Sequence, residues 1–127
     1  MRMSVEASLR HSGDPDAALI RAAYVVEAAN IPTTDAAQAL LHERGVLVVP
    51  DFVANGGTNS WFWWVLLGLV DPAPEPSFKR IAETMRQTVR NLLVASEQQR
   101  ILPRQAAEAM ALANLDDLER QYSKQKV

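Results

Sequence analysis

The residues best placed to do chemistry follow two short apolar runs, Tyr24–Val26 and Val46–Val49. Glu27 follows the first run and could act as a catalytic carboxylate, although a solvent-facing carboxylate or one paired with an arginine fits the same position. Asn55, Gly56 and Gly57 follow the second run. Adjacent glycines let a ligand approach the backbone closely, and the start of a helix offers free amides to an anion. Turn glycines also meet purely steric needs, so this motif alone does not establish a site.

The elements around these residues read as a βαβ unit. The first run is aromatic and β-branched, which favours a strand. Thr33 or Thr34 is placed to cap a helix that continues from Asp35 to Arg44. Gly45 stands where a helix needs a left-handed residue to end. The second run is apolar on both faces, as in a buried parallel strand, so the sequence predicts two parallel strands joined by a helix.

Two helical regions follow this unit. The apolar stretch from Ser60 to Val70 is too short to span a bilayer, and its three tryptophans cannot all face one core. Another chain or domain is therefore expected to cover part of this stretch. The three tryptophans are Trp61, Trp63 and Trp64. Three prolines then predict a non-helical connection before a helix capped by Ser77 and ending near Gln98, and they are Pro72, Pro74 and Pro76. Pro103 opens the last predicted helix.

We therefore expect an α/β fold, in which a truncated Rossmann-like βαβ unit with parallel strands precedes a C-terminal helical segment. A single domain spans residues 1–127. It comprises a lead-in at 1–21, the βαβ unit with the Trp-rich helix at 22–70, and a helical tail at 71–127.

Composition narrows the function classes. Apolar residues make up 48% and charged residues 22% of the chain, as in globular proteins. The net charge of −2 gives no basic surface for nucleic acid. There is no cysteine and the two histidines are far apart, so no metal site is expected. The polar start MRMSVEASLR is unlike a signal peptide, and we expect a cytoplasmic protein that binds no membrane.

Several motifs resemble a known family. VVEAANIPTT, AAQALLHERGVLVVPDFVAN and SWFWW follow one another across about forty residues, and RQAAEAMALANL comes near the end. This succession resembles the C-terminal portion of the Glu/Leu/Phe/Val (amino-acid) dehydrogenase family, glutamate dehydrogenases above all. The family pattern includes V-V-E-G-A-N-x-P-T-T, a later P-D-x-x-A-N-A-G-G, S-Y-F-E-W and a last helix with Arg-x-Ala-Ala. The resemblance covers about residues 17–120.

The resemblance implies roles for particular residues. Asn30 would lie near the nicotinamide half of NAD or NADP, with Asn55, Gly56 and Gly57 at the next strand end as further cofactor-binding residues. Ser60 matches a serine that helps to line the amino-acid pocket. These placements agree with the rule that ligands of open α/β sheets bind at the carboxyl ends of the strands.

The chain also departs from the family pattern. Ala28 replaces a glycine, Trp63 replaces an acidic residue, and the loop after Asn55 is two residues shorter. None of the five glycines forms G-x-G-x-x-G, and no lysine matches the catalytic lysines. The lysines are Lys79, Lys124 and Lys126, and the glycines are Gly13, Gly45, Gly56, Gly57 and Gly68.

Two functions follow from this comparison with the family. The first is a fragment-like relative of an NAD(P)-dependent, glutamate-type dehydrogenase, an oxidoreductase acting on CH–NH2 groups, which is inactive alone and has no catalytic residue of its own. The alternative is a non-catalytic self-associating or partner-binding module that keeps only the scaffold. The expected partner is a second copy of the chain, forming a homo-oligomer, or a complementary dehydrogenase fragment.

Overall fold

The two predicted strands pair in parallel. The computed structural model describes residues 14–124, so residues 1–13 of the predicted lead-in lie outside the described residues. Strand β1, Tyr24–Val26, pairs with strand β2, Leu47–Val49, with Val25 opposite Val48. Helix α1, Asp14–Leu19, precedes the sheet, and helix α2, Asp35–Glu43, connects its strands. The α/β fold class is confirmed.

Local signals set the ends of α2 as predicted. The Ala37 amide donates to Thr34 Oγ1 at 3.1 Å, so Thr34, rather than Thr33, is the N-cap. Gly45 follows the helix at φ 73°, a backbone conformation that a side chain disfavours. The Arg44 guanidinium donates to the backbone carbonyls of Ala17 and Ile20, and these bonds tie the end of α2 to α1.

Helices cover both faces of the sheet. Side chains alternate along β2, so Val48 packs with α1 and α2, whereas Val49 packs with the C-terminal helices. The first cluster contains Ala17, Ala37, Leu41, Val46 and Val48. The second contains Val49, Val53, Leu92, Ala106 and Ala107. The strand is apolar on both faces because each face has its own core.

Four helices follow the sheet within the described part of the chain. Helix α3, Asp51–Ala54, leads directly into helix α4, Gly56–Leu66. Helix α5, Pro74–Gln99, precedes helix α6, Pro103–Lys124, and only three residues separate them. The end of α5 and the start of α6 lie within two residues of their predicted positions. None of the helices that the structure describes is long and apolar enough to cross a membrane.

The start of α5 corrects the prediction drawn from its prolines. Pro74 and Pro76 lie inside the first turn, and Ala73, not Ser77, is the N-cap. The first amides of a helix have no intrahelical acceptor, so proline costs little there. Ser77 is buried instead, and its hydroxyl accepts from Trp61 Nε1 at 2.8 Å and donates to the Asp71 carbonyl. It joins α4 to the connection that precedes α5.

Candidate functional site

The carboxyl ends of the two strands bring Asn30 and Asn55 together. Asn30 lies four residues beyond β1, and Asn55 lies between α3 and α4. Asn55 Nδ2 donates to Asn30 Oδ1 at 2.8 Å, and both side chains are exposed. Within residues 14–124, this bond leaves Asn30 Nδ2 as a donor and Asn55 Oδ1 as an acceptor without another side-chain or backbone partner. The pair therefore offers one donor and one acceptor side by side.

The two glycines beside Asn55 have different surroundings. A Cβ at Gly56 would meet no atom within 4 Å, so this residue is open to a ligand. Gly57 is buried, and a Cβ there would lie 3.2 Å from Ile81 Cγ2. The packing of α4 against α5 accounts for the missing side chain at Gly57. Of the two predicted cofactor-binding glycines, only Gly56 has free space above it.

The different surroundings of these glycines predict opposite effects of alanine. Gly56→Ala should stabilise the chain by about 0.5–1 kcal/mol, because alanine is the better helix former. Gly57→Ala gains the same free energy of helix formation, but it forces the β-branched Ile81 to move, which costs about 1–3 kcal/mol. Urea unfolding of the two variants measures the difference. A Gly57→Ala variant as stable as Gly56→Ala would mean that α5 yields without strain.

Ser60 lies one turn further along α4, at a cavity of about 200 Å³ between α3, α4, α5 and α6. The walls carry no charged group, and their polar members besides Ser60 are Thr84, Thr88 and Asn114. Gly56, the residue after Asn55, also lines this cavity. The cavity therefore adjoins the end of the sheet where Asn30 and Asn55 lie. The cavity suits an uncharged or apolar group. The role of Ser60 in substrate binding stays a prediction.

A buried ion cluster lies beneath the asparagine pair. Arg104 Nη2 lies 2.6 Å from Asp51 Oδ1 and 2.9 Å from Glu27 Oε2, so one guanidinium bridges both strand ends. Glu27 is 2% exposed and also accepts from the Asp51 amide at 3.0 Å and from the Thr33 hydroxyl. Of the alternatives for Glu27, pairing with an arginine is the one that the structure shows.

Gln38 closes the cluster from α2. Its Nε2 donates to Thr33 Oγ1 at 3.0 Å, and its Oε1 accepts from Arg104 Nε at 3.3 Å. Among the described residues, no buried side-chain nitrogen or oxygen lacks a hydrogen-bond partner. A buried polar cluster is stable only when every member is satisfied, and this one meets that condition.

Charge pairing sets the ionisation of the cluster. Burial alone would raise the pKa of the Asp51 carboxyl, but hydrogen bonds from the Ile31 amide and the Arg104 guanidinium hold it below its ordinary value of 3.8. Burial alone would lower the pKa of Arg104, but its contacts with Asp51 and Glu27 raise it. Both groups are therefore charged at neutral pH.

The lowered pKa of Asp51 predicts sensitivity to acid. The unfolded carboxyl binds a proton more readily than the folded one, so Asp51 stabilises the fold above pH 3.8 and loses this contribution as the pH falls through its folded-state pKa. Asp51→Asn should flatten this part of the stability profile. Urea midpoints between pH 7 and pH 3 test it, with Asp116→Asn on the exposed part of α6 as the matched removal of one carboxylate.

Sequence reasoning did not find this cluster as a unit. The sequence analysis treats Glu27 alone, and Arg104 enters it only as part of the Arg-x-Ala-Ala motif in the last helix. Arg104 lies 77 residues from Glu27 along the chain, and no local periodicity reports such a contact. The available signal was chemical: two acids following buried strands need a cation, and an arginine in a predicted core-facing helix can supply one.

Comparison with known proteins places these features in a family. The family model described as Glutamate/Leucine/Phenylalanine/Valine dehydrogenase matches residues 13–122. The glutamate dehydrogenase of Thermotoga maritima is 53% identical over 57 residues, which are 43% of this chain and 13% of that protein. The catabolic NAD-specific glutamate dehydrogenase RocG of Bacillus subtilis is 58% identical over 48 residues, which are 36% of this chain and 11% of that protein.

Solved structures extend the likeness to the fold. The hetero-hexameric glutamate dehydrogenase of Thermus thermophilus, in its Leu-bound form, matches with a TM-score of 0.72 and 31% identity over 87% of this chain. The glutamate dehydrogenase of Peptoniphilus asaccharolyticus matches with a TM-score of 0.69 and 27% identity over 86% of this chain. The matches cover 27% and 28% of those chains, so this chain spans under a third of its structural relatives. With 110 residues matched by the family model, the chain belongs to the Glutamate/Leucine/Phenylalanine/Valine dehydrogenase family.

Proposed function

We propose that this chain forms the nicotinamide-side edge of a cofactor site in an NAD(P)-dependent amino-acid dehydrogenase of the glutamate type. The observation that carries the proposal is the Asn55–Asn30 hydrogen bond of 2.8 Å at the carboxyl ends of two parallel strands. A primary carboxamide, such as that of nicotinamide, can donate through its NH2 group to one acceptor and accept at its oxygen from one donor, and the pair presents these two groups. The relatives named NAD-specific support NAD as the first cofactor to test.

In this function the chain binds and orients, and it does not transfer protons. The asparagine pair fixes the plane of the carboxamide, and Gly56 allows close approach. The assignment of Ser60 to amino-acid binding rests on the family resemblance, because the cavity that Ser60 lines carries no charged group. Asn30 and Asn55 would hold the nicotinamide by its carboxamide, and the bound cofactor would supply a hydride acceptor for the oxidation of the amino acid. Efficient transfer requires both reactants to be held in one geometry. The proposed activity also needs phosphate-binding glycines and catalytic lysines, which a complementary dehydrogenase fragment would have to supply, because this sequence contains no G-x-G-x-x-G motif.

A complementation experiment tests this function. The chain is mixed with Thermotoga maritima glutamate dehydrogenase from which the matched C-terminal segment has been removed, and glutamate-dependent NAD(P)H formation is measured. Activity from the mixture but from neither part alone is the expected result. Asn30→Ala and Asn55→Ala should reduce it, whereas Asn91→Ala, an exposed change on α5, should not. A mixture that forms a stable complex but has no activity would contradict the proposal.

Cofactor titration of the chain alone gives an independent measure. NAD or NADP near the nicotinamide-side edge should quench the fluorescence of the three tryptophans, Trp61, Trp63 and Trp64. If the fluorescence does not change at millimolar cofactor, the chain alone does not bind the cofactor, and any binding requires the assembled enzyme. The titration therefore separates binding by this chain from activity that needs the rest of the protein.

A second function is supported by the surface of α4. Large apolar side chains on and after this helix are half or more exposed, and they are Phe62, Trp63, Leu66, Leu67 and Leu69. An apolar surface of this kind marks an interaction site. The proposed role is a self-associating or partner-binding module without catalysis. Light scattering tests self-association, and a stable monomer at micromolar concentration would contradict it.

A further inference from the structure

Ile31, next to Asn30, has a strained backbone. Its φ is 49°, in the left-handed region that a β-branched residue rarely adopts. Such a conformation is unfavourable for a β-branched residue and persists only where the surroundings impose it. The Ile31 side chain is 80% exposed, so packing of that side chain does not supply the compensation. A backbone contact must hold the residue in place.

Asp51 makes that contact and also reaches Asn55. The Ile31 amide donates to Asp51 Oδ2 at 2.7 Å, which fixes the loop on the β1 side. The backbone carbonyl of Asp51 accepts from the Asn55 amide at 2.8 Å, which fixes the end of α3 on the β2 side. One residue thus holds both backbones that present the asparagine pair. Any rotation of its carboxylate would be transmitted to Ile31 and hence to Asn30.

Arg104 fixes the carboxylate of Asp51. It binds Asp51 Oδ1 at 2.6 Å and leaves Oδ2 to the Ile31 amide. The guanidinium is itself held at two further points, by Glu27 at 2.9 Å and by Gln38 at 3.3 Å. Glu27 directly follows β1 and Gln38 lies in α2, so the orientation of the guanidinium depends on how α6 packs against both elements. This is a planar, multidentate arrangement that an ammonium group does not reproduce.

We propose that Arg104 is a positioning residue for the asparagine pair: through Asp51 it holds the strained Ile31 loop, and so couples the seating of helix α6 to the shape of the candidate carboxamide site. The coupling is a property of the chain itself. Its importance for catalysis rests on the proposed function.

Arg104→Lys tests the coupling because it keeps the charge and removes the planar fork. Nuclear magnetic resonance of the ligand-free chain reports two groups directly, the Ile31 backbone amide and the Asn55 side-chain amide. We expect hydrogen exchange at the Ile31 amide to become about tenfold or more faster, since a hydrogen bond to a charged group is weakened. The Asn55 Nδ2 signals should move at the same time. Arg120→Lys, an exposed change on the same helix, should leave both unchanged.

A second substitution distinguishes positioning from general loosening. Ile31→Gly removes the Cβ that makes φ 49° costly, and the lost side chain is exposed. In the Arg104→Lys, Ile31→Gly double variant, the loop has less strain to release, so the Asn55 signals should return towards those of Ile31→Gly alone. A merely structural role for Arg104 predicts no such rescue.

The outcomes decide between the alternatives. Unchanged Ile31 and Asn55 signals in folded Arg104→Lys would overturn the proposal. If Arg104→Lys does not fold, the same two signals are measured in Asp51→Asn, which keeps the Arg104–Glu27 pair. Unchanged signals in that variant would also overturn the proposal. Both measurements are made without cofactor. Failure of the complementation experiment with perturbed signals would therefore reject the proposed function and leave the coupling standing.

Discussion

Arg104→Met should destabilise the chain by about 3–5 kcal/mol, because two buried carboxylates lose the cation that they share. The side chains of Glu27 and Asp51 are 1% and 7% exposed, and that of Arg104 is 17% exposed. Water therefore cannot replace the guanidinium without opening the cluster. Methionine fills much of the same volume, so the expected loss is one of charge compensation rather than packing. Urea unfolding at neutral pH measures it.

The pH dependence of this variant should differ from that of the wild type. Without the guanidinium, burial is no longer offset to the same extent and the pKa of Asp51 rises. Protonation then favours the folded state, so the stability deficit should shrink as the pH falls towards 4. Arg120→Met, at a side chain that is 72% exposed, is the matched control and should change stability little. A deficit independent of pH would mean that packing, not charge, dominates at Arg104.

How well each part of this fold could be predicted depended on how far apart in the sequence the interacting residues lie. The βαβ unit was predictable because its signals are local: Thr34 caps α2, Gly45 takes a left-handed conformation, and β2 is apolar on both faces. The first turn of α5 was predicted wrongly because the prolines were read as helix breakers. The sequence contained the relevant fact, since proline is compatible with the first turn, but nothing local fixed where that turn began.

The candidate site shows the same limit more sharply. The proximity of Asn30 and Asn55 follows from parallel strands whose carboxyl ends meet at one edge, so a correct topology was enough to predict it. The different environments of Gly56 and Gly57 depend on which face of α4 meets α5. The role of Arg104 depends on the path of a chain segment that returns to the sheet after more than fifty residues. Contacts of this kind are set by the packing of whole elements.

The buried cluster has a structural consequence beyond its stability. Replacing a buried ion pair by well-packed apolar side chains of similar volume is often neutral or stabilising, so stability alone does not account for such a cluster. What they would not provide is a directional link between α6 and the two strand ends. Glu27, Asp51 and Gln38 reach Arg104 from three different elements, and each bond has a preferred direction. The cluster therefore selects one seating of the helix among several that an apolar contact would allow.

Leu92→Ala should destabilise the chain by about 2–5 kcal/mol, the usual cost of truncating a buried leucine. Leu92 is 0% exposed and packs in the cluster that joins α5 and α6 to β2, with Val49 and Ala107 among its members. It also lines the cavity near Ser60, so its loss enlarges an existing space. Val94→Ala, two residues along the same helix and 45% exposed, is the control and should cost much less.

Under conditions in which it remains folded, the Leu92→Ala variant also distinguishes the effect of apolar packing of α6 from the effect of the Arg104 hydrogen bonds. The substitution weakens the seating of α6 but leaves the bonds of Arg104 to Asp51 and Glu27 in place. Exchange at the Ile31 amide should then change less than in Arg104→Lys, although Leu92→Ala loses more stability. The reverse order would mean that the apolar contact, and not the guanidinium, holds the Ile31 loop. Hydrogen exchange in the two variants under identical conditions decides between these contributions.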